Sequence, residues 1–147
     1  MKLLISACLL GTPCRYDGKS KPNDGLLSLK ERHTLFFVCP EVDGGLSTPR
    51  PPAERQGAYV RTRDGTDVTA CYMRGAQHAL MLAKREGISL AILKERSPSC
   101  GTDTVYDGSF SGTLTKGDGV TAELLRQNGV EVIGETEALR RIESGRL

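Results

Sequence analysis

Five cysteines, Cys8, Cys14, Cys39, Cys71 and Cys100, are the residues of this chain best equipped for chemistry. An odd number of thiols in a chain read as cytoplasmic argues against a disulfide scaffold and for metal or redox chemistry. Thiolates are soft ligands, and three of them suit zinc or an iron–sulfur cluster. No two of the five form a Cys-x-x-Cys pair. Any shared site must therefore be assembled by the fold and not by local spacing.

The elements that would assemble it can be read from the hydrophobic pattern. Lys2–Ala7 is a short, nearly continuous apolar run, as expected of a strand covered on both faces. It resembles a leader segment, but Cys14, Arg15 and Asp17 end the apolar stretch early, so a first buried strand of a cytoplasmic protein is expected. A loop rich in Gly, Pro and Asn follows from Gly11 to Asn23, and Asp24 is expected to cap a short helix reaching Arg32. Thr34–Val38 is a second strand, and an irregular stretch runs from Glu41 to Gln56. Tyr59–Arg61 and Asp67–Val68 flank Asp64-Gly65, a hairpin signal. From Thr69, Tyr72, Met73, Ala76, Ala79, Leu80 and Ala83 recur at helical spacing, and Gly87 supplies the stop. Ser89–Lys94 and Val130–Ile133 are further strands, with helices expected over Thr121–Gln127 and Thr136–Ser144. Strands alternating with helices give an α/β class, a small doubly wound, Rossmann-like parallel sheet of about four strands with long Gly/Pro-rich loops. Its 147 residues are expected to form a single domain over residues 1–147.

On that outline Cys8 follows the first strand, Cys39 ends the second, and Cys100 lies in the loop after the third. Ligands of open parallel sheets bind in the crevice outside the carboxyl ends of the strands, so three thiols distant in sequence meet at one edge. Buried structural cysteines are the plain alternative, but three at equivalent strand ends, each near Gly or Pro, argue for a site. Three cysteines leave one coordination position open, a feature of catalytic metal centres. Cys14 is read as a fourth ligand, a redox partner of Cys8, or a loop thiol, and Cys71 as structural within its helix.

Four blocks carry a family pattern: Ser6–Gly11 with Cys14–Gly18; Cys39–Leu46 with Pro49-Arg50; Leu93-Lys94 through Ser97-Pro98-Ser99-Cys100-Gly101; and Tyr106–Gly112 with Gly117–Val120. With them the chain resembles the 2-thiouracil desulfidases, short single-domain proteins long described as a domain of unknown function. The resemblance implies an oxygen-sensitive [4Fe-4S] cluster held by Cys8, Cys39 and Cys100, with a fourth iron free to take sulfur from a small thiolated base. It also matches Glu41 and Ser97 to the family's proton-handling residues.

The remaining chemistry is less distinctive. Without the resemblance, Glu41 reads equally as a solvated loop carboxylate and Ser97-Pro98 as an ordinary turn. Arg15, Arg50, Lys94 and Arg96 crowd the same loops; each reads singly as a surface charge, and together they can lower thiolate pKa values, offset cluster charge or bind an anion. Gly44, Gly45, Gly101, Gly117 and Gly119 let backbone amides approach a cluster or substrate, whereas Gly108 and Gly112 read as turns. His33 and His78 lie outside the blocks. No phosphate-binding glycine motif is present. Twenty basic against 18 acidic residues, net +2, give no case for a nucleic-acid polymer or membrane partner. Two other classes of function remain: a cluster-binding redox sensor or sulfur carrier without turnover, and a zinc protein with three or four cysteine ligands.

Overall fold

The apolar runs become the strands of a central parallel sheet. In a computed structural model, which describes residues 1–20 and 22–147, the chain opens with β1 (Lys2–Ser6) and a 3₁₀ turn over Ala7–Leu10. Lys21, in the loop expected between Gly11 and Asn23, lies outside the described residues. A helix, α1 (Asp24–Leu27), continues as a 3₁₀ turn over Ser28–Glu31. Its cap is Asn23 and not the expected Asp24: the Asn23 side chain accepts the Leu26 amide at 3.2 Å, leaving Asp24 as the first helical residue. Next come β2 (Thr34–Val38), a one-turn helix α2 (Pro40–Asp43), and the antiparallel pair β3 (Ala53–Gln56) and β4 (Tyr59–Thr62). The long helix α3 (Thr69–Glu86) leads to β5 (Leu90–Leu93), followed by a small ribbon of β6 (Thr104–Tyr106) and β7 (Leu114–Lys116). The chain then forms α4 (Val120–Gln127), β8 (Glu131–Gly134) and α5 (Glu135–Glu143).

The four long-expected strands pair in the order β2-β1-β5-β8, all parallel. Alternation along each strand divides the core into two layers. Leu3 and Ile5 of β1 join Leu90 and Ile92 of β5 beneath Leu26 of α1 and Ala138 of α5. Leu4, Ala91 and Leu93 face the other way, against Ala79 and Ala83 of α3 and Leu125 of α4. This is the doubly wound arrangement, and its strand order reverses between β1 and β5. No helix among the described residues is long and apolar enough to cross a membrane.

Two further expectations need correction. The Asp64-Gly65 turn exists, with the Val68 amide bonded to the Val60 carbonyl at 2.9 Å, but the regular partner of β4 is β3, a strand the polar Ala53–Gln56 segment did not announce. Thr121 is not a cap: α4 begins at Val120, and its first amides bond to the loop before it. The amides of Gly119, Val120 and Thr121 donate to the carbonyls of Gly101, Pro98 and Ser99 at 2.7, 2.9 and 2.8 Å. The helix start thus consumes its unpaired donors in holding the loop that carries Cys100.

Candidate active site at the carboxyl edge of the sheet

The chain delivers a cysteine to the same edge of the sheet after each of β1, β2 and β5. Cys8 sits in the 3₁₀ turn after β1, Cys39 is the residue between β2 and α2, and Cys100 follows β5. With Cys14, these three line one open cavity of about 450 Å³. Cys14 is the most intimately placed thiol, within hydrogen-bonding reach of both Cys39 and Cys8. The Cys39 thiol draws its pKa down, while the Cys8 thiol and burial push it up, for a net rise to about 11. Cys39 is raised as well, by its hydrogen bond to the Cys14 thiol and then by burial. Burial pushes Cys100 to about 12, against hydrogen bonds from Ser6 and Ser99 that pull the other way. Cys71 lies elsewhere, on α3, with Arg74 Nη2 3.2 Å from its sulfur.

Glu41, two residues beyond Cys39, is held by groups distant in sequence. Tyr72 of α3 donates its hydroxyl to Glu41 Oε1 at 2.6 Å, and Arg50 Nε approaches the same oxygen at 3.2 Å. The close approach of α2 to α3 makes this possible, and it requires a glycine: a Cβ on Gly75 would run into the Pro40 carbonyl. Arg50 is not the solvated charge its sequence context implied. Its side chain is 4% exposed, and its other nitrogens donate to the Ser47 and Cys14 carbonyls at 3.1 and 2.9 Å and to Thr48 Oγ1 at 3.2 Å. One guanidinium therefore fixes the Cys14 loop, the start of α2 and the 47–50 segment together.

Ser97 plays a comparable role beneath Cys100. Its Oγ accepts the amides of Ser99 and Cys100 at 3.1 and 3.0 Å. Both acceptor positions of the hydroxyl are thereby used, leaving its proton as the group available to a cavity occupant. Lys94 is neutralised by Glu135 at 3.1 Å, and Arg15 by a 3.5 Å contact with Asp17. Arg96, at φ 67°, lines the cavity.

The outer wall escaped the sequence reading. Glu54 of β3, Arg63 after β4, and Tyr106 and Phe110 of the β6–β7 ribbon all face the cavity. Glu54 Oε1 accepts the amides of Gly108 and Phe110 at 3.0 and 3.2 Å, tying the ribbon's tip to β3. Both ribbons are too short and too polar to show as apolar runs. The Tyr106–Gly112 block was the one available signal.

A family model described as "2-thiouracil desulfurase" matches residues 3–137. The chain belongs to that family. Among its relatives, the Bacillus subtilis (strain 168) protein "Uncharacterized protein YbbK" is 44% identical over 145 residues, covering 92% of this chain and 96% of its own length. A solved structure, "[4Fe-4S]-dependent thiouracil desulfidase TudS", matches with a TM-score of 0.87 at 48% identity, over 98% of this chain and 96% of the other. The doubly wound sheet is thus common to this desulfurase-family chain and that structure.

The donor set of this family member is compatible with an iron–sulfur cluster. Among the described residues, no three His, Cys, Asp or Glu side chains already converge as a ready-made single-ion site. Thiols that follow three separate strands line one cavity, and cysteine thiolates are the usual ligands of a multi-iron core. All are soft sulfur donors, and the buried Arg50 cation stands beside them to offset the charge of thiolates once their protons are displaced.

Proposed function

We propose that this protein, as a single α/β domain over residues 1–147, removes sulfur from a small thiolated molecule, 2-thiouracil or a related thiobase. In this reading Cys8, Cys39 and Cys100 hold a [4Fe-4S] cluster, and Glu41 and Ser97 are the catalytic residues. The observation that carries it is the arrival of three thiols from three strand ends at one cavity beside a fixed carboxylate. The name of the structural relative TudS supports the cofactor and the substrate class. A cluster open to solvent calls for a reducing compartment, hence the cytoplasm.

The net reaction adds water across the thiocarbonyl and releases sulfide: a carbon–oxygen bond forms, the carbon–sulfur bond breaks, and both water protons leave with sulfur as hydrogen sulfide. The bound cluster supplies a soft Lewis-acidic iron for the substrate's sulfur. The protein's own part is proton transfer and orientation. Glu41, with Oε1 occupied by Tyr72 and Arg50, presents Oε2 to take a proton from the attacking water and return it to the departing sulfur. Ser97, with both acceptor sites filled by amides, donates its hydroxyl hydrogen to the ring or the water.

Anaerobic reconstitution with iron and sulfide, followed by a sulfide-release assay on 2-thiouracil, tests this. Visible absorption of a cluster together with stoichiometric uracil and sulfide is the expected result. A colourless protein holding one zinc per chain would overturn it. Cluster absorption that changes with redox state without turnover would favour the sensor or sulfur-carrier reading.

A further inference from the structure

The part of the cavity wall formed by β3 and the β6–β7 ribbon is built with more care than a surface ribbon needs. Phe110, at the tip between β6 and β7, has φ 57°, the left-handed region that a bulky side chain rarely occupies. It is held there by one carboxylate oxygen: Glu54 Oε1 accepts both the Gly108 and the Phe110 amides. Gln56 Nε2 donates to the Gly108 carbonyl at 2.7 Å, so β3 grips this turn from both sides. Gly108 itself has φ 93°, and a Cβ there would lie 2.5 Å from Gln56 Cγ, so neither the conformation nor the space admits a side chain. Within the tip, Asp107 accepts the Ser109 amide at 2.9 Å and its hydroxyl at 2.5 Å. Arg63 reaches across from the end of β4, with its guanidinium 5.6 Å from the centroid of the Phe110 ring. Phe110, Arg63 and Glu54 line the same cavity as Cys8, Cys39, Cys100, Glu41 and Ser97.

We propose that Phe110, backed by Arg63, is the specificity-determining platform on which the planar ring of the substrate stacks, and that Glu54 is the positioning residue that holds this platform in place. The inference deepens the desulfuration reading and rests on it for the identity of the ring. An aromatic face with a cation against it suits a flat, polarised heterocycle such as a pyrimidine. A phenyl ring offers no hydrogen-bond pattern, so the wall selects for planarity and leaves the choice of exocyclic groups to the polar side of the cavity. Fixing the ring by two amide bonds to Glu54 means the platform is formed before the substrate arrives, which keeps the ordering of the loop out of the binding step.

The chain contains no tryptophan, so Phe110→Trp places a single tryptophan in the wall, excited selectively at wavelengths the tyrosines do not absorb. In the reconstituted holoprotein, uracil is expected to change its emission saturably, whereas the puckered ring of dihydrouracil binds about tenfold more weakly, the scale of one aromatic stack. Emission unchanged by uracil, or equal affinity for the two rings, would overturn the proposal. In the sulfide-release assay, Phe110→Leu is expected to raise KM for 2-thiouracil about tenfold while kcat stays within about twofold. Glu54→Ala is expected to show the same split, and Glu54→Gln, whose carbonyl oxygen still accepts both amides, to restore KM. Equal losses in kcat and kcat/KM for these variants would overturn the positioning role. Should Glu54→Ala fail to fold, the Phe110→Trp and Phe110→Leu measurements still decide the matter. If the wild-type holoprotein releases no sulfide, the function reading fails while the uracil titration still judges the platform.

Discussion

The Tyr72 hydroxyl donates a 2.6 Å hydrogen bond to Glu41 Oε1, joining the long helix α3 to the short helix that follows Cys39. Tyr72 is 1% exposed, and Arg50, which meets the same oxygen, is almost as deeply buried. The pair thus engages Oε1 and leaves Oε2 as the oxygen that the proposed proton transfer would use. Hydrogen bonds to charged groups contribute about 1.5–3 kcal/mol. Tyr72→Phe, which keeps the ring, is expected to lower unfolding free energy by about 2 kcal/mol and to reduce kcat with little change in KM. Urea unfolding and steady-state kinetics would show both.

The same burial sets a pH limit. Tyr72 is raised above its ordinary value, first by burial and then by the neighbouring Glu41 carboxylate. A phenol whose folded pKa exceeds its unfolded value near 10 contributes fully below that value. Above it the unfolded chain releases a proton that the folded chain retains, so stability falls as pH rises. In an alkaline titration, the difference in tyrosinate absorbance between wild type and Tyr72→Phe is expected to emerge only above the ordinary range, together with unfolding. A smooth titration of that difference near pH 10 would contradict the burial argument.

Glu41→Gln separates charge from shape. The amide can still accept from Tyr72 and Arg50 but cannot take a proton at Oε2. A fall of about 10²–10⁴ in kcat is expected, with iron content and cluster absorption unchanged. Stability should also drop, because the Arg50 cation, its side chain 4% exposed, loses its only carboxylate partner among the described residues. Thermal melting of the two proteins measures that part.

How much of this was legible in the sequence depends on the range of the interaction. β1, β5 and β8 showed as apolar runs because both of their faces are largely covered. β2 showed as an apolar run despite its half-exposed edge position. The ends of β1, β2 and β5 placed Cys8, Cys39 and Cys100 at one edge without any local motif. Leu114-Thr115-Lys116 of β7, by contrast, is exposed throughout and carries no pattern. Glu41 was visible only as a family match, since Tyr72, which fixes it, lies 31 residues away. Arg50 read as a surface charge because nothing local reveals that the Cys14, Ser47 and Glu41 groups will converge on it. Phe110 and Glu54 were missed for the same reason: their pairing crosses from one antiparallel ribbon to another.

Ser97 serves structure and chemistry at once, and two substitutions can divide them. Ser97→Ala strands the Ser99 and Cys100 amides that now share its oxygen, which is expected to cost about 1 kcal/mol, as loss of a helix cap does. Asparagine accepts amide hydrogens in such turns as well as serine does. Ser97→Asn is therefore expected to recover most of the stability and the cluster content while leaving kcat as low as in the alanine variant. Recovery of kcat by asparagine would assign Ser97 to positioning Cys100 alone.

The thiols themselves admit the sharpest comparison, because Cys14 lies among the three proposed ligands without being one. Its thiol is within hydrogen-bonding reach of Cys8 and Cys39, and its carbonyl accepts from both Arg50 and the Cys39 thiol, at 2.9 and 3.6 Å. Loss of a cluster ligand removes a bond that no other group replaces, whereas loss of Cys14 removes only hydrogen bonds within the pocket. Cys8→Ser, Cys39→Ser and Cys100→Ser are each expected to lower reconstituted iron severalfold, Cys14→Ser to retain it, and Cys71→Ser to match wild type. In cluster-free protein exposed to air, Cys14 should be the first thiol to oxidise, with Cys8 or Cys39 as its partner, since it lies within reach of both. Peptide mapping of that disulfide, alongside iron and sulfide analysis of the five variants, measures the whole series; iron retained by Cys39→Ser but lost by Cys14→Ser would reassign the ligand set.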